Sequence, residues 1–118
     1  MNDQFSSLDE FWPFYVSQHL NRVNRRLHFA GTTLALGVAT LGAALRSPWI
    51  FAAAPVMAYG LAWVGHFFYE RNRPATFVYP LLSLRADFRM YRMTWMGTMD
   101  TEILLLTQKI RQYRASAL

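Results

Sequence analysis

The sequence predicts an all-α fold, a small helical membrane protein built on a transmembrane helical hairpin with amphipathic helices on its N-terminal and C-terminal sides. Three observations predict it. Two long apolar runs, residues 29–45 and 49–69, are separated only by Arg46, Ser47 and Pro48. Apolar residues recur in steps of three and four through residues 86–114, the period of one helix face. No segment carries a strand signal.

The apolar runs can be measured against a bilayer. At about 1.5 Å per residue they reach roughly 25 and 31 Å, against a hydrocarbon core of about 30 Å. The linker between them is too short for anything but a tight turn, so the two runs form a hairpin. Arg22, Arg25 and Arg26 precede the first run, Arg71 and Arg73 follow the second, and Arg46 stands alone at the tip. The positive-inside rule then puts both open ends in the cytoplasm. The start of the chain, MNDQFSSLDEF, is acidic where a signal peptide would be basic, in keeping with a cytosolic start. A soluble bundle with these two helices at its core is the alternative. Gly31, Gly37, Gly42, Gly60 and Gly65 suit close helix contact in either setting.

Around the hairpin, Ser7-Leu8-Asp9-Glu10 reads as a capping box, with Ser7 as N-cap and Glu10 reaching back, opening a helix that runs to His19. Residues 21–24 read as a turn. The run Arg71-Asn72-Arg73-Pro74 stops the second span, because the residue before proline is pushed out of helical space. Residues 75–84, interrupted by Pro80, are too short to span and are expected to be buried or interfacial. The final segment, residues 86–114, carries Phe88, Tyr91, Trp95, Met99, Ile103, Leu106, Ile110 and Tyr113 as one stripe, with Arg85, Arg89 and Arg92 in a row beside it. Such a helix rests on the cytoplasmic leaflet or covers the open end of the hairpin.

Composition narrows the chemistry. Of the 118 residues 53% are hydrophobic, above the usual 45 to 50%, which points to lipid doing part of the burying. The absence of cysteine excludes disulfides, iron–sulfur clusters and thiolate-bound zinc or haem. The net charge of +5 is almost wholly arginine, and because the clusters flank apolar runs they favour anionic headgroups over nucleic acid. What remains for a site is His, Asp, Glu, Asn and Arg. Asn24 and His28 are four apart, as are His66 and Glu70, so each pair shares a helix face at the open end of the hairpin. His28 and His66 lie equally far on either side of Ser47, and the turn at residues 21–24 folds His19 back toward them. Imidazole with carboxylate and no thiolate suits ferrous iron, manganese or zinc. Asn24, Asn72 or Asp87 are available as acceptors behind the ligands.

The stretches HLNRVNRRLHFAGT, residues 19–32, and GHFFYERNRPATFVYPLLSLRAD, residues 65–87, resemble the two signature blocks of the DUF962, or Mpo1-like, family. The resemblance covers roughly residues 8 to 100 and is most specific in GHxxxExNxPATF. It implies a multi-span membrane fold, here a short bacterial-type member with residues 1–118 as one domain in the inner membrane. It also implies an Fe(2+)-dependent dioxygenase that shortens 2-hydroxy fatty acids by one carbon, the α-oxidation reaction. By that resemblance His19, His28 and His66 match the motif histidines and are expected to hold the iron, with Glu70 and Asn72 beside them as catalytic residues. Arg25, Arg26 or Arg73 would then draw the anionic head group to the site. Expected partners are membrane lipid, the 2-hydroxy fatty acid and O2, with self-association left open. Two other classes remain: a bis-histidine haem electron carrier, and a non-catalytic membrane protein whose histidines and Glu70 form a polar latch.

Overall fold

A computed structural model describes residues 5–117, with side chains through Ala115. Every regular element among them is helical. The chain forms two compact units. One is the continuous segment Asn21–Asn72; the other combines the described residues through Leu20 with those from Arg73 onward.

The continuous unit is the hairpin. Helix α2 spans Arg22–Ala44 and α3 spans Pro48–Val64, the latter running on as a π-helical turn, Gly65–Glu70. The first helix starts at Arg22, inside the stretch 21–24 expected as a turn, because Asn21 caps it: the side-chain oxygen accepts from the amides of Val23 at 2.8 Å and Asn24 at 3.3 Å. The turn therefore lies before Asn21, and Asn24 is a helix residue. At the tip the Ser47 amide donates to Gly42 O at 2.8 Å, Ser47 Oγ caps α3 through Ile50, and Pro48 occupies the first helical position, where its missing N–H costs nothing. Arg46 takes a left-handed conformation, φ 55°, to close this turn.

Glycine sets how closely the two helices pack. A Cβ at Gly42 would stand 2.5 Å from the Phe51 nitrogen, and one at Gly31 would stand 3.1 Å from Ala58 O. Gly37 and Gly60, also expected at a helix contact, face open space. Both helices are long and apolar enough to cross a membrane, and only 17% and 22% of their most apolar windows are buried. Core helices of a soluble bundle would be mostly covered; here Leu36, Leu41, Trp49, Phe51 and Val56 all face outward.

The second unit packs α1, Leu8–Ser17, against α4, Pro80–Met96, and α6, Thr107–Ala117, with α5, Met99–Leu105, beside α4. Ser7 caps α1 as expected, accepting from the Glu10 amide at 3.2 Å. Glu10 reaches back one residue further than a capping box requires, to the amide and hydroxyl of Ser6. The helix ends at Ser17, so His19 lies just outside it. The core is Phe11, Trp12, Tyr15, Val16, Ala86, Met90, Met99 and Ile110, each large side chain contributing about 1.5 to 3 kcal/mol by leaving water.

Two expectations for the C-terminal part are corrected. Pro80 begins α4 rather than interrupting a segment, for the same reason that Pro48 begins α3. The single long helix is broken at Gly97, whose φ of 72° ends α4, and again at Leu106. The break divides the apolar stripe. Met99, Ile103, Leu106 and Ile110 join the core, whereas Phe88 and Trp95 face outward and α4 buries Ser83, Ala86 and Met90 instead.

Tyr15 and Asp87 meet inside this unit, the Tyr15 hydroxyl donating to the Asp87 carboxylate. Burial pushes the Asp87 carboxyl up to about 7, against the opposing pull of that hydrogen bond. Burial and the neighbouring carboxylate together push the Tyr15 hydroxyl well above its ordinary value. With its folded pKa above the unfolded one, Asp87 contributes stability that is complete below about pH 4 and lost as the pH rises through about 7. Unfolding of the micelle-solubilised chain should therefore become easier between pH 5 and pH 8, and Asp87→Asn, which keeps an acceptor for Tyr15, should flatten that slope. In the hairpin, Gly42→Ala should destabilise by about 1 to 3 kcal/mol through its collision with the Phe51 backbone. Gly37→Ala, with open space around it, should be neutral or stabilising by up to about 1 kcal/mol in the same unfolding assay.

Candidate metal centre

His28 lies within α2 and His66 in the π-helical turn that follows α3. The close packing of the two helices brings their rings to a centroid distance of 4.9 Å, nearly perpendicular at 84°. Both are buried, as is His19, which is 1% exposed. The three form a group able to hold a metal ion, each offering one ring nitrogen, and these atoms lie within 4.8 Å of one another.

The hydrogen bonds behind the rings decide which nitrogen faces a ligand. His28 Nδ1 contacts Asn24 O at 2.9 Å, and His19 Nδ1 contacts Tyr15 O at 2.7 Å. A carbonyl only accepts, so both Nδ1 atoms carry the proton. His66 Nδ1 donates in the same way to Asn72 Oδ1 at 2.7 Å. A neutral imidazole protonated at Nδ1 keeps its lone pair at Nε2, and an oxygen behind the ring is the usual support of a metal-bound histidine. The same tautomer is thus set three times, which suits a divalent ion. Three neutral donors leave the charge of such an ion uncompensated, favouring an anionic ligand at any open position.

Local folding explains these supports. His19 and His28 each follow their acceptor by four residues, the helical spacing that returns a side chain to the carbonyl one turn earlier. His66 uses a different device. Arg71, at φ 61°, ends the π-helical turn, and the Asn72 amide donates to His66 O at 3.0 Å, which swings the Asn72 side chain onto the imidazole. On the other side of His19, Tyr15 stacks at 4.0 Å and 20°, and Trp12 stacks on Tyr15 in turn.

Glu70 shares its helix with His66 but its carboxylate is engaged at the start of α2. It accepts from the Asn21 amide and, at 3.4 Å, from Asn24 Nδ2. The first turn of α2 has no acid of its own while Arg22, Arg25 and Arg26 lie close by, so Glu70 supplies the negative charge that a helix N-terminus favours. Asn24 is fully buried against Gly65, where a Cβ would come within 2.0 Å of Asn24 Oδ1. Of the arginines, Arg25 is buried three positions before His28, whereas Arg26 and Arg73 are exposed.

The sequence brings the three histidines together and offers Asn24, Asn72 and Asp87 as acceptors behind them; Asn72 serves through its side chain and Asn24 through its backbone oxygen, whereas Asp87 accepts from Tyr15. Sequence reasoning missed Tyr15 as the support of His19, although the four-residue spacing was available. The close contact of Gly65 with Asn24 gave no signal in the sequence.

Two helices long and apolar enough to cross a membrane thus accompany three buried histidines able to hold a metal ion. The chain matches the family model described as 2-hydroxy-palmitic acid dioxygenase Mpo1-like over residues 5–99, and it belongs to the Mpo1-like family. No curated protein and no solved structure matches it.

In the metal-free protein near neutral pH, nitrogen-15 NMR of the histidine rings should show protons on Nδ1 and none on Nε2 at all three positions. Asn72→Ala should return His66 to a mixture of tautomers and leave His28 unchanged. A dominant Nε2–H form at His66 in the unaltered protein would contradict the geometry described.

Proposed function

We propose that the protein is a membrane-embedded, Fe(2+)-dependent dioxygenase that converts a 2-hydroxy fatty acid and O2 into the acid one carbon shorter, CO2 and water. The carrying observation is the set of three buried histidines whose ligand atoms lie within 4.8 Å of one another, each with Nδ1 bonded to an oxygen. The family description supplies the substrate class and reaction type. The overall conversion balances without a separate reductant: the bond between the carboxyl and hydroxyl-bearing carbons breaks, the carboxyl group leaves as CO2, and the four electrons released reduce O2, one atom of which completes the new carboxylate while the other leaves as water.

In this reading His19, His28 and His66 hold the iron through Nε2. Bound iron supplies a Lewis-acidic, redox-active centre for O2 and for the hydroxyl and carboxylate of the substrate. Asn72 holds the His66 ring and its tautomer, and Glu70 holds the start of α2, so both act as positioning residues. Arg25, on the same helix as His28, takes the substrate carboxylate, while Arg26 and Arg73 raise the local concentration of the anionic head group. In this reading the acyl chain lies in the surrounding lipid, and the outward apolar faces of α2 and α3 support it. Both ends of the hairpin lie on the cytoplasmic side of the inner membrane, as the arginine distribution favours. The haem alternative suits the geometry less well. Haem held by a pair of imidazoles would leave a third without a role, whereas His19 lies with His28 and His66.

Detergent-purified protein should carry stoichiometric iron after anaerobic loading with Fe(2+), and should convert 2-hydroxypalmitate to the C15 acid and CO2 when O2 is admitted. His66→Ala should lose both the metal and the turnover, and Asn72→Ala should weaken the metal about 10- to 100-fold. Intact 2-hydroxypalmitate with a loaded site would rule out the reaction, and failure of the wild type to retain iron would rule out the site.

A further inference from the structure

Helix α4 buries one face and leaves the opposite face apolar and uncovered. Ser83, Ala86 and Met90 point into their own unit at 3%, 0% and 2% exposure. Leu81, Leu84, Phe88 and Trp95 are exposed at 76%, 42%, 50% and 66%. At 100° per residue the second set falls on a stripe centred about half a turn of the helical wheel from the first. A helix that served only as a soluble flank would carry polar residues there.

The charges on this face have one sign. Arg85 and Arg92 are exposed along the edge of the apolar stripe, and Arg89 is held at the side by Asp9 at 3.0 Å. The one acid of α4, Asp87, is turned to Tyr15. An apolar stripe edged by arginine, with tryptophan near its C-terminal end, matches a bilayer surface: acyl chains take the stripe, anionic headgroups take the guanidinium groups, and the indole sits at headgroup level. The 17-residue helix carries four charged residues, which bars it from crossing the hydrocarbon core itself.

We propose that α4 is an interfacial anchor, lying along the surface of a leaflet that contains anionic phospholipid, with Leu81, Leu84, Phe88 and Trp95 in the acyl region and Arg85 and Arg92 among the headgroups. The proposal rests on the membrane part of the functional reading and is independent of its chemistry. It assigns a role to the helix in which the second motif block ends, a role distinct from that of α2 and α3.

The absence of cysteine makes the test direct. Single cysteines at exposed positions 81, 84, 88 and 95, with Val56→Cys in α3 as a control, are spin-labelled in the full chain. The labelled protein is placed in nanodiscs of phosphatidylcholine with or without phosphatidylglycerol, and each label's access to dissolved O2 and to a water-soluble nickel chelate is read by power saturation. The expected result is high O2 and low nickel access at all four α4 positions, at one common shallow depth, with Val56→Cys deeper. Phosphatidylglycerol should draw the α4 labels deeper, and Arg85→Gln with Arg92→Gln should abolish that dependence. High nickel access at the four positions overturns the proposal by showing a water-facing stripe. Low access to both reagents overturns it by showing a protein partner, such as a second copy of the chain. Lack of response to phosphatidylglycerol overturns the headgroup assignment. A control at position 56 outside lipid would instead bring down the membrane reading, and with it the anchor.

Discussion

The approach of α2 to α3 at backbone distance is the constraint on which the histidine geometry rests. Lipid tails give helices no hydrophobic reason to associate, so two spanning helices hold together through fit, and fit needs small residues at the contact. Gly42 admits the Phe51 backbone near the tip, Gly31 admits Ala58 further along, and Gly65 admits Asn24 at the open end. The three contacts fix the register of the hairpin along its length. That register puts the His28 and His66 rings 4.9 Å apart.

Polar groups buried in this way are costly unless each is satisfied, and the chain divides the work between residues. Glu70 ties the end of the second helix to the beginning of the first, where arginines would otherwise crowd a positive helix terminus. Asn72 takes care of one imidazole, and backbone carbonyls one helical turn earlier take care of the other two. An oxygen thus stands behind each of the three rings.

Much of this was legible in the sequence, and the exceptions have physical causes. Uncharged length and the Arg46-Ser47-Pro48 break define the hairpin because a tight turn between two long apolar runs has few alternatives. Two asparagines three apart read as a turn, whereas only Asn21 caps and Asn24 already lies in the helix that the cap begins, arginine being a good helix former. The long C-terminal helix was read through Gly97 because a periodic stripe continued across it. A left-handed glycine ends the helix while the apolar residues keep recurring, and the stripe then serves two faces. In the site, the residue types and their four-residue spacings carried the information. What spacing could not supply was which oxygen lies behind each ring, because a backbone carbonyl has no letter of its own.

The π-helical turn Gly65–Glu70 carries one more residue per turn than the α-helix that leads into it. That extra residue sets the angular phase between His66 and everything after it. Substitution within the turn changes a side chain and leaves this phase alone. Loss of a single residue would shorten the path from His66 to Asn72, so that the Asn72 amide and side chain no longer meet the His66 carbonyl and ring together. The segment thus tolerates changes of letter better than changes of length, and chain length here is itself a part of the site.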